Sequence, residues 1–203
     1  MTKHTYNPAL YRFRAIITNV LNSQLELLKT DSDVFSRDRD QSSAHLKRIY
    51  SNLDEFMVSY RLFLANEIKP RFGENIVYQR VPTFRIHYPG NVAVGEFHRD
   101  SDYGHNSCEL NFFVPLTDAT DTATIWCETQ PNKGDYVPLN CKYGDIIMFD
   151  GNHLRHGNRP NMEGSSRVSF DFRVIPYSMY EPEGGKSINT GKAFEIGDYY
   201  EVM

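Results

Sequence analysis

The stretch "RVSFDFRVI", residues 167–175, alternates polar and apolar side chains along its length. Because neighbouring side chains of a β-strand point to opposite faces, this alternation predicts a strand with two unlike faces. The apolar face would carry Val168, Phe170, Phe172 and Val174, and the polar face Arg167, Ser169, Asp171 and Arg173. Polar side chains are costly in an interior unless they line a functional cavity or neutralise one another. An Asp171–Arg173 ion pair and a substrate contact by Arg173 both fit the pattern.

Five more apolar or alternating runs, separated by turn residues, predict further strands between residues 76 and 149. They are "IVYQRV", "TFRIHY", "CELNFFVPL", "ATIWCE" and "DIIMF". Upstream, apolar residues at helical spacing predict one helix after Asn7-Pro8, and a second from Leu46 to Leu64 that Pro70 ends. The polar segment 30–43 separates the two helices.

Helices followed by strands predict an α+β fold. We expect a double-stranded β-helix, that is, a jelly-roll, cupin-like barrel, with the N-terminal helices packed on one sheet. A chain of 203 residues without a linker or repeat fits a single domain, residues 1–203. Within it we expect helical support over 1–70, the barrel core over 76–177 and a C-terminal tail over 178–203.

Composition excludes several classes of protein. The net charge is −4 without a basic cluster, so nucleic acid is not an expected partner. No apolar run is long enough to cross a membrane, and the first residues lack a signal-peptide pattern. Three cysteines without paired spacing favour a reducing compartment. We therefore expect a cytoplasmic protein that does not bind membranes.

The segment "GEFHRDSDYGH", residues 95–105, contains the triplet His98-Arg99-Asp100. In a protein kinase this triplet needs an asparagine five positions after the aspartate and a separate Asp-Phe-Gly element. Here His105 stands at that position, and the pair Asp171-Phe172 is followed by arginine. The kinase interpretation fails.

A metal site remains. On an extended segment, His98 and Asp100 point to one face, and an imidazole with a carboxylate suits a divalent metal. The third ligand must come from elsewhere, and the candidates are His153 and His156. We favour His156, because Arg167 follows it by 11 positions at a place suited to bind the distal carboxylate of a metal-chelating co-substrate.

This order of residues resembles the Fe(II)- and 2-oxoglutarate-dependent dioxygenase superfamily, whose motif is His-x-Asp, about fifty residues, His, about ten residues and Arg-x-Ser. His156 follows Asp100 by 56 positions, and the resemblance covers residues 80–177. The overall length and the pattern "TIWCETQPNKGDYVPLN…GDIIMFDG" are similar to small bacterial oxygenases of the streptomycin-biosynthesis type.

The segment "YPGNVAVGEFHRD" is also similar to the prolyl-hydroxylase type of this superfamily. That similarity implies that Tyr88, ten positions before His98, reaches the co-substrate. Enzymes of this type often have a second tyrosine on the next strand, whereas "LNFFVPL" offers only Asn111 as a polar side chain. Asn111 is therefore the candidate there.

The resemblance implies an enzyme with Fe(II), 2-oxoglutarate and O2. His98, Asp100 and His156 would hold the iron, while Arg167 with Ser169 would bind the 5-carboxylate of 2-oxoglutarate. The implied reaction is hydroxylation of a small polar metabolite, such as a sugar, aminocyclitol or amino-acid derivative, with release of succinate and CO2.

Four residues are candidates for substrate contact. Trp126 and Glu128 share a face of "TIWCE", where packing at the cavity rim is the alternative, Tyr103 lies in the loop after the metal motif, and Arg173 lies on the polar face described above.

Two other functions remain open: hydroxylation of prolyl or other residues of a protein, and binding of sugars by a cupin-like module without turnover. The aromatic tail 178–203 needs a surface to cover. It would form a lid over the cavity, or pack on the helices or on the second subunit of a homodimer.

Overall fold

A computed structural model describes residues 1–30, 43–93 and 96–203. It contains four α-helices within these ranges: α1 Pro8–Tyr11, α2 Phe13–Leu21, α3 Ala44–Tyr50 and α4 Asp54–Phe63. Helix α4 continues as a π-helical turn, Leu64–Ile68, and a 3-10 turn, Lys69–Arg71. The predicted polar segment 30–43 lies outside the described residues except at its two ends.

Each predicted helix is divided into two. Arg12, with φ 51°, separates α1 from α2, and a turn at residues 51–53 separates α3 from α4. The predicted start is confirmed, because the side chain of Asn7 accepts a hydrogen bond from the Ala9 amide and Pro8 opens α1. Apolar spacing continues across both breaks, which explains why periodicity alone did not show them.

The described ranges contain ten strands, and six of them lie in the predicted runs. The six predicted strands are β2 Ile76–Gln79, β3 Thr83–His87, β4 Leu110–Pro115, β5 Ile125–Cys127, β7 Asp145–Phe149 and β9 Arg167–Pro176. The four additions are β1 Thr2–Thr5, β6 Val137–Pro138, β8 His156–Asn158 and β10 Tyr200–Val202. The additions are two to four residues long, and none of them lies in one of the predicted apolar or alternating runs.

The strands form two antiparallel sheets. The large sheet has the order β1-β7-β4-β9-β2-β10, with β3 also paired to β9, and the small sheet has the order β6-β5-β8. No named strand in the described ranges belongs to both sheets, so a closed barrel is not confirmed. An isolated bridge between His98 and His156 joins the metal-motif loop to the small sheet.

Strand β9 has the two faces that its sequence predicts. Val168, Phe170, Phe172 and Val174 are buried in a large cluster with side chains of all four helices. The predicted packing of the helices on one sheet is confirmed. On the other face of the large sheet, Phe113 and Phe149 pack with Cys127 and Leu139 of the small-sheet side. The polar face of β9 therefore looks into the space between the sheets.

The tail is built into the fold. Strand β10 pairs with β2 at the edge of the large sheet. Phe194, Tyr199 and Tyr200 are buried against Val77 and Ile175. This packing accounts for the aromatic residues that a solvated terminus would not carry.

No helix of the described ranges is both long and apolar enough to cross a membrane.

Phe170 offers a test of the helix-to-sheet packing. Its ring lies 5.0 Å from that of Phe13 and 5.2 Å from that of Phe56, between centroids, and it is fully buried. We expect Phe170→Ala to lower the free energy of unfolding by about 3–5 kcal/mol in urea denaturation, because it leaves a cavity. Phe170→Leu is the control and should cost much less. A loss below about 1 kcal/mol in the alanine variant would contradict the packing described.

Candidate active site

Three side chains converge between the sheets. Nε2 of His98 and Nε2 of His156 each lie 3.6 Å from Oδ1 of Asp100. These separations are slightly longer than the roughly 3 Å expected when two ligand atoms each lie about 2.1 Å from one metal ion. Within the described residues, this trio is one of two groups whose ligand atoms all lie within 4.8 Å of one another.

The backbone sets the two histidines face to face. The His98 amide donates to the His156 carbonyl at 3.0 Å, and the His156 amide donates back at 2.9 Å. Asp100 opens a 3-10 turn, Asp100–Tyr103, rather than continuing an extended segment as predicted. The turn still brings its carboxylate to the side of the site where the two imidazoles meet.

Both imidazoles are held with Nε2 as the metal-facing atom. Nδ1 of His98 lies 3.0 Å from the Glu96 carbonyl, and Nδ1 of His156 lies 3.1 Å from the Leu154 carbonyl. A carbonyl only accepts, so each Nδ1 carries the proton, and in a neutral ring each Nε2 then has a free lone pair. Burial lowers the pKa of His156 to about 4, which keeps that ring neutral near pH 7. The donor set therefore fits a divalent metal.

Asp100 is oriented by its other oxygen. Its Oδ2 accepts from Nδ2 of Asn111 at 2.8 Å, and from Nε and Nη2 of Arg173 at 2.9 and 2.8 Å. Oδ1 is thereby left toward the two histidines. Burial by itself would raise the pKa of Asp100, but the Arg173 guanidinium, with the two histidines, holds that pKa well below its usual value. Asp100 is thus an anion aimed at the site.

Two glycines permit the close approach of these segments. A Cβ on Gly157 would lie 2.9 Å from the Phe97 ring, and a Cβ on Gly151 would lie 2.7 Å from the amide of Asn111. Both contacts are too short for any other residue, so these positions let the His98 loop and Asn111 reach the triad. In the sequence, nothing distinguishes Gly151 and Gly157 from other glycines, so their role could not be predicted.

Arg167 lies beside the triad, and one of its three guanidinium nitrogens lacks a hydrogen-bond partner in the described residues. Its Nη1 donates to Ser169 Oγ at 2.6 Å and its Nε to the Ala123 carbonyl at 3.0 Å. In the described part of the chain, Nη2 is buried without a hydrogen-bond partner. Burial lowers the pKa of Arg167 to about 10, which still leaves the guanidinium charged. A buried charge with an open donor fits a carboxylate ligand.

Two cavities meet at the triad. The smaller, about 40 Å³, is lined by Arg167, Asn111 and His156 among others. The larger, about 700 Å³, opens between β2, β3 and the tail segment 187–192. Arg85, His98 and Arg173 border both cavities, so a co-substrate bound at Arg167 would extend toward the larger one.

The structure places several predicted residues at this junction. His156 joins the cluster, whereas His153 is exposed and its Nδ1 lies 2.9 Å from the Asp150 carboxylate. Tyr103 borders the larger cavity, with its ring edge-on to His98 at 5.1 Å between centroids. Arg173 borders both cavities, and its guanidinium nitrogens form ion pairs with Asp100 and, at 3.5 Å, with Asp171.

Tyr88 lies on the opposite side of the sheet from the candidate site. Its ring is buried in the helix-facing cluster, and its hydroxyl lies 2.8 Å from Nδ1 of His45 in α3. Tyr88 follows Phe84 and Ile86 at even spacing, so it shares their helix-facing side of the sheet. Tyr88 is not among the described residues that line the two cavities, so the structure does not place it at the implied co-substrate contact. The polar side chains of β3 that face inward are those at the alternate positions, including Arg85.

Trp126 and Glu128, predicted as candidates for substrate contact, lie away from both cavities. The Trp126 ring packs under the Arg159 guanidinium at 3.4 Å on the outer side of the small sheet. The Glu128 carboxylate is buried and accepts from the amides of Gly134 and Arg155 at 2.9 and 3.0 Å. Neither residue borders a cavity, because β5 turns Ile125 and Cys127 inward instead. Their roles are in loop packing.

No protein-family model matches the chain. StrG of Streptomyces griseus, a streptomycin biosynthesis protein, is 40% identical over 179 residues, which are 88% of this chain and 86% of StrG. The chain belongs to the StrG family. This membership confirms the similarity to the streptomycin-biosynthesis type that the sequence predicted.

Solved structures share the fold at low sequence identity. The non-haem monooxygenase ThoJ, in its apo form, gives a TM-score of 0.52 at 15% identity, covering 90% of this chain and 75% of ThoJ. SnoK, a non-haem alpha-ketoglutarate-dependent carbocyclase from nogalamycin biosynthesis, gives 0.51 at 10% identity, covering 98% and 88%. A shorter match, 42% identical over 48 residues, joins 24% of the chain to 17% of a phytanoyl-CoA dioxygenase domain-containing protein 1 homolog of Dictyostelium discoideum.

The two histidines of residues 153–156 give a matched test of the triad. We expect His156→Ala to weaken Co(II) binding at least tenfold in a titration followed by visible absorption, because it removes a ligand. His153→Ala should bind Co(II) as the unmodified protein does, because that side chain contacts Asp150. The opposite pattern would assign the third ligand to His153.

Proposed function

We propose that this protein is an Fe(II)- and 2-oxoglutarate-dependent oxygenase that hydroxylates a small polar metabolite. One observation carries the proposal: two Nε2 atoms and one carboxylate oxygen converge beside a buried arginine whose Nη2 lacks a partner in the described residues. A metal with a chelating dicarboxylate would use both features at once. The proposal includes residues 1–203 as one oxygenase domain.

The chain's residues have separate tasks. His98, Asp100 and His156 would hold Fe(II) beside the space left for 2-oxoglutarate and O2. Arg167, kept in place by Ser169, would bind the 5-carboxylate of 2-oxoglutarate. Asn111 would act on Asp100 rather than on the co-substrate, because its amide donates to Oδ2. When bound, the iron supplies the redox chemistry that couples oxidation of 2-oxoglutarate to oxidation of a C–H bond.

The overall reaction balances in atoms and electrons. O2 supplies two oxygen atoms, of which one enters succinate as 2-oxoglutarate loses CO2 and the other enters the substrate as a hydroxyl group. The two electrons from 2-oxoglutarate and the two from the C–H bond reduce O2. The buried walls around Asp100 and Arg167 limit water at the reacting position.

The larger cavity supports a polar substrate of metabolite size. A volume of about 700 Å³ is in the range of sites for such molecules. Amide and hydroxyl groups of Gln79, Thr83, Asn189 and Thr190 border it together with the rings of Tyr50, Tyr103 and Tyr199. Such groups bind hydroxylated rings, which favours a sugar or cyclitol derivative. StrG is a streptomycin biosynthesis protein, which supports a biosynthetic role for this chain as well.

The two alternative functions fit less well. A sugar-binding module without turnover has no use for a buried arginine with an open donor behind the triad. A protein hydroxylase needs an open groove, whereas residues 187–192 wall the cavity. The homodimer, the cytoplasmic location and the absence of nucleic-acid and membrane partners stay predictions.

Anaerobic titration tests the reaction class. We expect Fe(II) and 2-oxoglutarate together to give a visible charge-transfer band. A library of sugars, cyclitols and amino acids is then screened in air for stimulated succinate release, with mass spectrometry for a gain of one oxygen atom. Absence of the band with metal bound would remove 2-oxoglutarate from the proposal. Oxidation of peptides but no metabolite would favour the protein hydroxylase.

Arg167→Ala should retain Co(II) binding and weaken 2-oxoglutarate binding by about 2–4 kcal/mol, because the carboxylate loses its charged partner in a buried site. Calorimetric titration of the Co(II)-loaded protein measures it. Arg159→Ala, which removes an arginine on the outer side of Trp126, is the matched control and should bind 2-oxoglutarate normally. Unchanged affinity in Arg167→Ala would remove Arg167 from this role.

A further inference from the structure

A second buried group of polar side chains lies behind Asp100, and the mechanism above does not use it. Its centre is Glu109, which is 1% exposed. Oε1 of Glu109 accepts a hydrogen bond from the Tyr200 hydroxyl, and Oε2 lies 3.0 Å from Nδ1 of His105 and 3.4 Å from Nε of Arg173. A carboxylate this deeply buried requires such partners.

Arg173 stands between two carboxylates. The same Nε that lies 3.4 Å from Glu109 lies 2.9 Å from Asp100 Oδ2. Although burial would lower the pKa of Arg173, the Asp100 carboxylate raises it well above its ordinary value, so the guanidinium stays charged. Asp100, His105 and Glu109 also have ligand atoms close enough to hold a cation. The Arg173 guanidinium already supplies the positive charge there, so a second metal is not needed to explain the group.

The tail docks on the loop that follows Asp100. Nδ2 of Asn106 donates to the Glu181 carbonyl at 2.8 Å, and the Ser107 hydroxyl donates to Glu183 at 2.7 Å. The Phe194 ring lies 4.3 Å from the His105 ring, between centroids. Tyr200, which binds Glu109, belongs to β10. The loop from Asp100 to Glu109 is thus fixed at one end by the site and along its length by the tail.

We propose that Glu109 is a positioning residue for the metal site and that it connects the docked tail to Asp100 through Arg173. This inference rests on the proposed function. Tyr200 holds Glu109 in place, Glu109 shares the charge of Arg173, and Arg173 fixes Oδ2 of Asp100 so that Oδ1 faces the histidines. Without the Glu109 charge, Arg173 would act on Asp100 alone, reducing its strength as a ligand, and the dication would lose a nearby buried anion.

The test measures metal affinity in the full chain. We expect Glu109→Gln to bind Co(II) about tenfold more weakly than the unmodified protein, in the range seen when partners of metal ligands are removed. Tyr200→Phe should shift the affinity in the same direction by about threefold, because one buried oxygen of Glu109 loses its donor and the carboxylate turns. The Co(II) absorption spectrum should change in both variants, which a purely structural role would not cause.

Glu183→Gln is the matched control. This glutamate also joins the tail to the loop, through Ser107, but it has no contact with Arg173 in the described structure, so its Co(II) affinity and spectrum should stay unchanged. Melting temperatures are measured for all variants. A Glu109→Gln protein that melts earlier but binds Co(II) with the same affinity and spectrum overturns the proposal.

The outcomes separate this inference from the proposed function. If the unmodified protein binds no Co(II), or if His156→Ala binds as tightly, the metal site itself is wrong. If the triad binds Co(II) and Glu109→Gln is unchanged, only the positioning role is wrong. Should Glu109→Gln fail to fold, Tyr200→Phe decides: unchanged affinity and spectrum there overturn the proposal.

Discussion

The buried ion pair between Asp100 and Arg173 is the constraint on which the site depends. Removing two charges from water costs several kcal/mol per ion, and the pair is tolerated only where further hydrogen bonds satisfy it. Here Asn111 and Glu109 complete the set. Such a pair adds little net stability, but it orients the Asp100 carboxylate. Arg173 fixes Oδ2, and Oδ1 is left facing the two histidines. The chain thus accepts a costly interaction in return for a defined ligand geometry.

Strand β9 makes this arrangement compatible with a stable core. Its outward face packs phenylalanines against the helices, and its inward face carries the two arginines that serve the two halves of the site. Arg173 follows Arg167 by six positions, which is about 20 Å along a strand. Arg167 therefore lies at the proposed co-substrate position while Arg173 reaches Asp100. A single strand thus carries both arginines, close together in the sequence but far enough apart in space to contact different groups.

Much of this arrangement was predictable from the sequence, because long alternating runs and ligand spacing are strong signals. Six of the strands, the two faces of β9 and the gathering of His98, Asp100 and His156 were predictable in this way. Tyr88 was assigned from a family motif, and the strand period alone would have placed it with Phe84 and Ile86 on the helix side. For Trp126 and Glu128 the shared face was right, but nothing in three residues of strand tells which face is inward. Glu109 was missed because its partners, Arg173 and Tyr200, lie 64 and 91 positions further along the chain.

The cavity wall and the triad are held by different parts of the chain. Strand β8 and the segment from His98 to Asp100 carry the three metal-facing groups, and Asn111 of β4 and Arg173 of β9 orient Asp100. Residues 187–192, which border the larger cavity, lie between β10 and the segment 181–185 that docks on the loop after Asp100. One end of this wall is fixed by the contacts of Asn106 and Ser107 with Glu181 and Glu183, and the other by the pairing of β10 with β2 and by the contact between Tyr200 and Glu109. None of these anchors is a side chain of residues 187–192, so the wall's side chains can change while its two ends stay fixed. In the proposed oxygenase, this division would let the substrate-binding wall vary while the metal-binding residues stay the same, provided that the contact between Tyr200 and Glu109 is kept.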